Sequence, residues 1–466
     1  MRRLIEEKLV KKIPEEVFEI FEKFVKAGFE IYLVGGAVRD LLLGREIHDA
    51  DFTTNARPKQ TQKLLPHSFY DNIFGTVRTI IPTKRGKEKY EVTTYRTERG
   101  YTDKRRPDEV SWGKTLAEDL QRRELTINAM ALGPLRQAPK PSLKKLELID
   151  LFDGQKDLEN QLIRAVGDPG KRFSEDALRM MRAVRFAAQL GFTIEPKTFA
   201  AITKNAHWLR EISRERIRDE LFKILESQYP SEGVTLLLTT GLLQYIIPEL
   251  IKGYGLDQAK HHIYDVWTHS ILSLKFVPSK DPLVRLATLI HDIGKPITAR
   301  GVGEERTFYN HEVVGAKIAQ KIAKRLRLSR KDEEKLVRLV RWHLFTVDER
   351  QTDSAIRRFI RNVGKENLDD ILALRIGDRL GGGAKETSWR LEKFKKRLVE
   401  VQKQPFAVTD LKVNGHDVMK IFGLKPGPKV GEILKQIFEE VVEKKTKNER
   451  EALLKRLKEL QKHSKG

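Results

Sequence analysis

Leu33-Val34-Gly35-Gly36-Ala37-Val38-Arg39-Asp40, followed after eight residues by Asp49-Ala50-Asp51-Phe52, is the stretch on which the fold turns. Residues 31–34 are a short β-rich run, the glycine pair forces a turn, and 37–43 resume a helical pattern that Gly44 stops. Upstream, 14–27 carries a helical period with Val17, Phe21, Phe24 and Val25 on one stripe, Pro14 at its start and Gly28 at its end. Further strands are expected at 49–53, 76–82, 91–95 and 146–150, so strands and helices share roughly the first 150 residues. Beyond 158 the strand signals vanish, and helical periodicity runs through 173–190, 197–208 and 213–227 towards the end. The expected fold class is α+β: a small N-terminal α/β head with a mixed or antiparallel sheet, followed by an all-α body. Breaks are expected at 135–145, at 253–257 and at the three glycines 381–383.

The 466 residues leave room for about three cores at roughly 150 residues each. There is no Cys, which excludes disulfide scaffolds, cysteine nucleophiles and thiolate metal sites. The opening residues mix both charge signs without an apolar run, and no stretch has the ~18 consecutive apolar residues of a membrane span, so neither a signal peptide nor an anchor is expected. The formal charge is +23, from 89 Lys+Arg against 66 Asp+Glu. Such a surplus favours a polyanionic partner, because neutralised phosphates release counterions.

Asp49 and Asp51 alternate with apolar neighbours, so on a strand both carboxylates leave the same face. Such a pair can converge on Mg²⁺, which prefers oxygen ligands completed by water and substrate phosphate. An isolated Asp-x-Asp is more often a solvated strand edge, and an isolated Gly-Gly an ordinary turn. Joined, they make a nucleotide-binding arrangement: backbone without side chains approaches a triphosphate, Arg39 adds a charge-assisted bond, and Asp40 orients Arg39.

With Gln121-Arg122-Arg123-Glu124-Leu125-Thr126-Ile127-Asn128-Ala129, these motifs resemble the class II nucleotidyltransferases, which comprise bacterial-type CCA-adding enzymes and bacterial poly(A) polymerases. The resemblance implies a nucleotidyltransferase head in which Asp49 and Asp51 hold Mg²⁺ and Gly35, Gly36 and Arg39 hold the incoming triphosphate. It also implies that Arg122, Arg123 and Asn128 belong to the element that selects ribose. Glu124 stands where the family usually has Asp.

The run Asp168-Pro169-Gly170-Lys171-Arg172-Phe173-Ser174-Glu175-Asp176-Ala177-Leu178-Arg179-Met180-Met181-Arg182 opens a helix expected to be capped by Ser174, with Asp176 and Arg179 one turn apart. They could form a plain surface ion pair. They could also read a base, since cytosine and adenine both set an exocyclic amine beside a ring-nitrogen acceptor, whereas uracil and guanine present a carbonyl there. The stretch resembles the family's Glu-Asp-x-x-Arg template, which implies that Asp176 and Arg179 read the base, that Glu175 positions Arg179, and that Arg182 joins the nucleotide-binding set. Residues 213–221 match the next family helix, expected to be structural and to face RNA. The polar stretch 96–110 resembles the flexible loop with which CCA-adding enzymes switch from C to A.

A second constellation is rich in histidine. His269, His291-Asp292, His311, His343 and Asp378 punctuate a helical stretch, and imidazoles with carboxylates suit a divalent transition metal able to activate water. Their order resembles the HD phosphohydrolases, which implies His269, His291, Asp292 and Asp378 as metal ligands, with His311 and His343 completing a second metal or touching substrate. Lys295 is expected at phosphate. The C-terminal run from Val413 to Leu434 resembles the tRNA-gripping tail of CCA-adding enzymes, with Pro428 early in a helix and Lys444, Lys445 and Lys447 as backbone-contacting charges. The expected organisation is a head at 1–157, a helical neck at 158–255, an HD domain at 256–383 and a tail at 384–466. The expected function is Mg²⁺-dependent addition of C, C and A to tRNA from CTP and ATP in the cytoplasm. Rival expectations are an A-adding polymerase of the same family, or an HD phosphohydrolase with a non-catalytic head.

Overall fold

The computed structural model describes residues 2–47, 50–70, 75–83, 86–99, 109–135, 142–258, 263–348, 350–402, 408–443 and 445–463. Asp49, loop residues 100–108 and Lys444 therefore lie outside the described residues. The chain divides into two compact units, residues 1–252 with 325–327, and residues 253–324 with 328–466. No described helix is long and apolar enough to cross a membrane.

The first unit is built on one mixed sheet. Its strands are β1 (Arg2–Leu4), β2 (Ile31–Val34), β3 (Ala50–Thr54), β4 (Ser68–Tyr70), β5 (Thr76–Thr83) and β6 (Gly86–Thr94). A two-stranded ribbon, β7 (Arg96–Arg99) with β8 (Glu109–Trp112), stands apart, and β9 (Met130–Leu135) and β10 (Ser142–Asp150) complete the sheet. The order is β1-β10-β9-β2-β3-β6-β5-β4, antiparallel throughout except for parallel β3 and β6. The Glu15–Lys26 helix packs its buried Val17, Ile20, Phe21 and Phe24 beneath this sheet, Phe21 edge-on to Phe52 of β3 at 5.6 Å. Each such side chain contributes about 1.5–3 kcal/mol on burial. Ile20 rather than Val25 completes the stripe.

Several expectations change. β9 was not legible because Gly133 and Pro134 break its strand signal; there a Cβ at Gly133 would lie 2.4 Å from the Tyr32 ring, so only glycine admits the neighbouring strand. Of residues 135–145, expected as a break, Leu135 ends β9 and 142–145 belong to β10, while 136–141 lie outside the described residues. Both flanks of the expected 96–110 loop are strands. Beyond 158, β11 (Leu162–Ile163) pairs in parallel with β12 (Thr193–Ile194). The helix expected at 173–190 is two helices, Pro169–Glu175 and Leu178–Leu190, interrupted at extended Asp176. Its cap is Asp168, which accepts from the Lys171 N–H, while Ser174 donates back to the Lys171 carbonyl.

The second unit is helical among its described residues. Helices Val266–Phe276, Pro282–Ile290, His311–Arg325, Arg330–Trp342 and Leu368–Gly381 carry the histidine-rich segment. A separate core of Leu411, Val413, Val418, Val430, Ile437, Val441, Leu453 and Leu457 holds the C-terminal helices together. There Asn414 and Asp417 form a capping box, and Pro428 occupies the first turn of Pro428–Val442.

Candidate active site and candidate metal centre

Gly35 ends β2 with φ of 72°, a left-handed conformation open to glycine, and precedes the Gly36–Leu42 helix. A Cβ there would come within 3.3 Å of Arg123 Nη1, so the glycine also admits that guanidinium. Arg39 lies on this helix with its side chain only 12% exposed. It donates to both Asp40 oxygens at 3.0 and 2.8 Å, as expected, and through Nη1 to Asn128 Oδ1 at 2.8 Å, across 89 residues of sequence. Arg122 and Arg123 are gathered by Asp119, a buried carboxylate the sequence reading missed, at 2.8 and 3.3 Å. The signal was present as i, i+3 and i, i+4 spacing on the Leu116–Gln121 helix and the turn beyond it.

Asp51 is exposed on β3. Burial pulls Arg123 below its ordinary range, while the charges of Asp119 and Asp51 oppose that shift. In the parallel ladder Asp51 lies beside Glu91 of β6, which accepts from Arg78 Nε at 2.6 Å. Parallel register sends both carboxylates from one face of the sheet, a partner for Asp51 visible only once the strands pair.

At the end of the Pro169–Glu175 helix, Glu175 receives Arg172 at 2.7 Å and Arg179 at 2.5 Å. Arg179 also reaches the carbonyls of Arg172 at 3.2 Å and Arg122 at 3.5 Å, which brings it to the Arg122–Asn128 loop. Asp176 is not on a helical face with Arg179, as expected from spacing; it sits in the break and is gripped by Arg216 at 2.7 Å. Arg182, expected in the nucleotide-binding set, pairs with Glu124 at 2.5 Å, which reaches it from the loop. The face of Phe186 takes the guanidiniums of Arg39 at 5.2 Å, Arg182 at 6.0 Å and Arg185 at 4.4 Å.

The second unit collects all six expected residues. His269 Nε2 lies 3.1 Å from both His291 Nε2 and Asp378 Oδ1. Asp292 Oδ2 faces His291 at 3.2 Å and His269 at 3.5 Å, while its Oδ1 faces His311 at 3.3 Å and His343 at 3.7 Å. The Nδ1 atoms of His291, His311 and His343 donate to the carbonyls of Thr288, Phe308 and Val340 at 2.7, 2.9 and 2.7 Å. With Nδ1 so committed, each Nε2 faces the centre and, in the neutral imidazole, offers its lone pair there, the arrangement that orients metal-ligating imidazoles. Two triads, His269–His291–Asp378 and His291–Asp292–His343, can each close on one ion. Lys295, expected at phosphate, is buried against Asp292 at 2.7 Å and Gln258 at 2.5 Å. The cluster opens into a cleft of about 600 Å³ lined by Phe308, Tyr309, His311, His343 and Arg375.

Residues 31–164 match the family model of the poly A polymerase head domain, 191–253 that of a probable RNA and SrmB-binding site of polymerase A, and 310–457 that of tRNA nucleotidyltransferase domain 2 (putative). The matches within the first unit are to nucleotidyltransferases of the polymerase A class. The chain is 35% identical over 455 residues to a CCA-adding enzyme of Lactococcus lactis, covering 97% of this chain and 99% of that one. It is 50% identical over 238 residues, half of its length, to a CCA-adding enzyme of Levilactobacillus brevis. Among solved structures, the Bacillus stearothermophilus CCA-adding enzyme in complex with CTP superposes with a TM-score of 0.70 at 29% identity, covering 97% of this chain and 98% of that one. The chain belongs to the CCA-adding enzyme family.

Proposed function

We propose that this protein adds C, C and A to the 3′ end of tRNA from CTP and ATP, by divalent-metal-dependent nucleotidyl transfer with Mg²⁺ as the ion. The observation that carries the reading is the convergence of Arg39, Asn128, Arg122 and Arg179. Two hydrogen bonds thereby tie the triphosphate-holding Arg39 and the base-reading Arg179 to opposite ends of the ribose-facing segment 122–128. Asp51 and Glu91, which leave one face of the sheet, would hold the ion together with Asp49 of the same Asp-x-Asp motif; carboxylate oxygens suit a hard cation. When bound, such an ion stabilises charge on the attacking and leaving oxygens. Arg39, oriented by Asp40, and the open backbone at Gly35-Gly36 grip the triphosphate. Arg122, Arg123 and Asn128 set the ribose, and Asp176 with Arg179 pairs with the amine and ring nitrogen of C or A. The 3′-hydroxyl oxygen of the RNA then bonds to the α-phosphorus as pyrophosphate leaves. The charge of +23 serves a tRNA partner, and the reading places the protein in the cytoplasm with it.

The division into head 1–157, neck 158–255, HD domain 256–383 and tail 384–466 belongs to the same reading. His269, His291, Asp292 and Asp378, with His311 and His343, would hold a divalent transition metal for phosphoester hydrolysis. The imidazoles fixed through Nδ1 with Nε2 turned to the centre support that assignment. The deciding experiment incubates tRNA lacking its end with CTP alone, then with all four nucleoside triphosphates, and sequences the products. Two C residues from CTP and a terminal A from the mixture are expected. Incorporation of A alone would reveal an A-adding polymerase, and full addition by Asp51→Ala would move the activity away from the head.

A further inference from the structure

Asp176 occupies an unusual position for a residue that reads a base. It lies in neither helix but at the extended break between Pro169–Glu175 and Leu178–Leu190, with φ −146° and ψ 107°. The start of the second helix therefore holds only one oxygen of its carboxylate. Arg179 is secured by near neighbours, Glu175 at 2.5 Å and the Arg172 carbonyl at 3.2 Å. The Asp176 carbonyl accepts from the Arg179 N–H at 3.0 Å, and its carboxylate takes one local bond, from the Leu178 N–H to Oδ1 at 3.0 Å. Its other described partner is 40 residues on: Arg216, on the Arg214–Glu226 helix, donates Nη2 to Oδ2 at 2.7 Å and Nη1 to Oδ1 at 3.3 Å.

We infer that Arg216 is a positioning residue for nucleotide selection, holding the Asp176 carboxylate at the angle that distinguishes C and A from U and G. The inference rests on the reading above, in which Asp176 and Arg179 read the base. A guanidinium fork on both oxygens fixes the plane of a carboxylate as well as its position. Each carboxylate oxygen accepts about two bonds. Oδ1 is filled by Leu178 and Arg216, whereas Oδ2 takes Arg216 and keeps room for one more donor. Oδ2 is thus the atom that accepts the exocyclic amine of cytosine or adenine. The same oxygen meets the carbonyl of uracil or guanine lone pair to lone pair, and that rejection lasts only while the carboxylate cannot turn aside. Arg216 and Asp176 retain 26% and 16% side-chain exposure, so the pair is a weak contributor to stability and its geometry is the larger effect.

The test measures kcat/KM for CTP against UTP and for ATP against GTP, on tRNA lacking its end, in the full-length protein and in Arg216→Ala and Arg216→Lys, with tRNA affinity and melting temperature alongside. Arg216→Ala is expected to lower CTP and ATP use about 10- to 100-fold, the worth of one charge-assisted hydrogen bond, while UTP and GTP use falls less, so that selectivity drops. Arg216→Lys, which returns the charge without the fork, should be intermediate. Equal losses for all four nucleotides, or unchanged selectivity, would overturn the inference while leaving CCA addition intact. Failure of the wild-type protein to use CTP would instead remove the reading beneath it. Should Arg216→Ala not fold, Arg216→Lys carries the test, and wild-type selectivity in it overturns the inference.

Discussion

Glu124 and Arg182, 58 residues apart, share two hydrogen bonds of 2.5 and 2.6 Å. The pair fastens the loop after the Leu116–Gln121 helix to the Leu178–Leu190 helix, so the element that would set ribose and the helix that would carry the base reader move together. Burial pushes the Glu124 carboxyl up, but the Arg182 charge and bonds override it and hold the group below the usual carboxylate range. The glutamate that departs from the family's usual aspartate thus has a partner suited to its longer arm.

Glu124→Gln should leave Arg182 partly buried without its counter-charge. We expect a loss of about 2–3 kcal/mol, below the range for wholly buried pairs because Arg182 is a third exposed. The sign of the pH dependence follows from the depressed carboxyl. Its contribution is present above the unfolded pKa of about 4.3 and is lost as pH falls through the folded value. Chemical denaturation should therefore show the gap between wild type and variant closing below about pH 4.

Asp51→Ala should abolish nucleotide addition, by on the order of 10³-fold, with tRNA affinity retained. Glu91→Gln should cost about 10- to 100-fold and be partly rescued by raised Mg²⁺, as befits a carboxylate assisting the same ion. Primer-extension rates over a Mg²⁺ titration check both. A Glu91 variant with wild-type Mg²⁺ dependence would reduce that residue to a strand ion pair with Arg78.

The two units should be separable in function. Asp292→Ala removes the carboxylate that faces all four histidines, and is expected to strip bound transition metal and phosphoester hydrolysis while leaving CCA addition unchanged. Elemental analysis and parallel assays of both activities decide this.

Burial would lower the imidazole of His291, but Asp292 and Asp378 raise it to about 10, so without metal it is protonated at neutral pH. A metal ligand must be neutral. Metal uptake at pH 7 should therefore release about one proton, and affinity should rise with pH up to about 10; calorimetry in buffers of different ionisation enthalpy reads the proton directly.

Local patterns made much of this legible. β2 was expected at its observed bounds, since a β-rich run closed by Gly35-Gly36 needs no distant information. The histidine cluster was found because each His and Asp is chemically conspicuous wherever it falls. β9 was missed because glycine and proline obscure a strand whose place is set by its neighbours. Asp176 was misread as helical because spacing does not reveal where a helix breaks.

From the chain alone came the strand–glycine–helix turn, the paired aspartates, the basic surplus and the inventory of imidazoles, all of which depend on residues a few positions apart or on composition. Folding decided the pairings between distant residues: Glu91 beside Asp51, Asn128 on Arg39, Glu124 on Arg182 and Arg216 on Asp176. A side chain's nearest neighbours along the sequence set its backbone, but the counter-charge it meets is delivered by strand order and helix packing, which no short window contains.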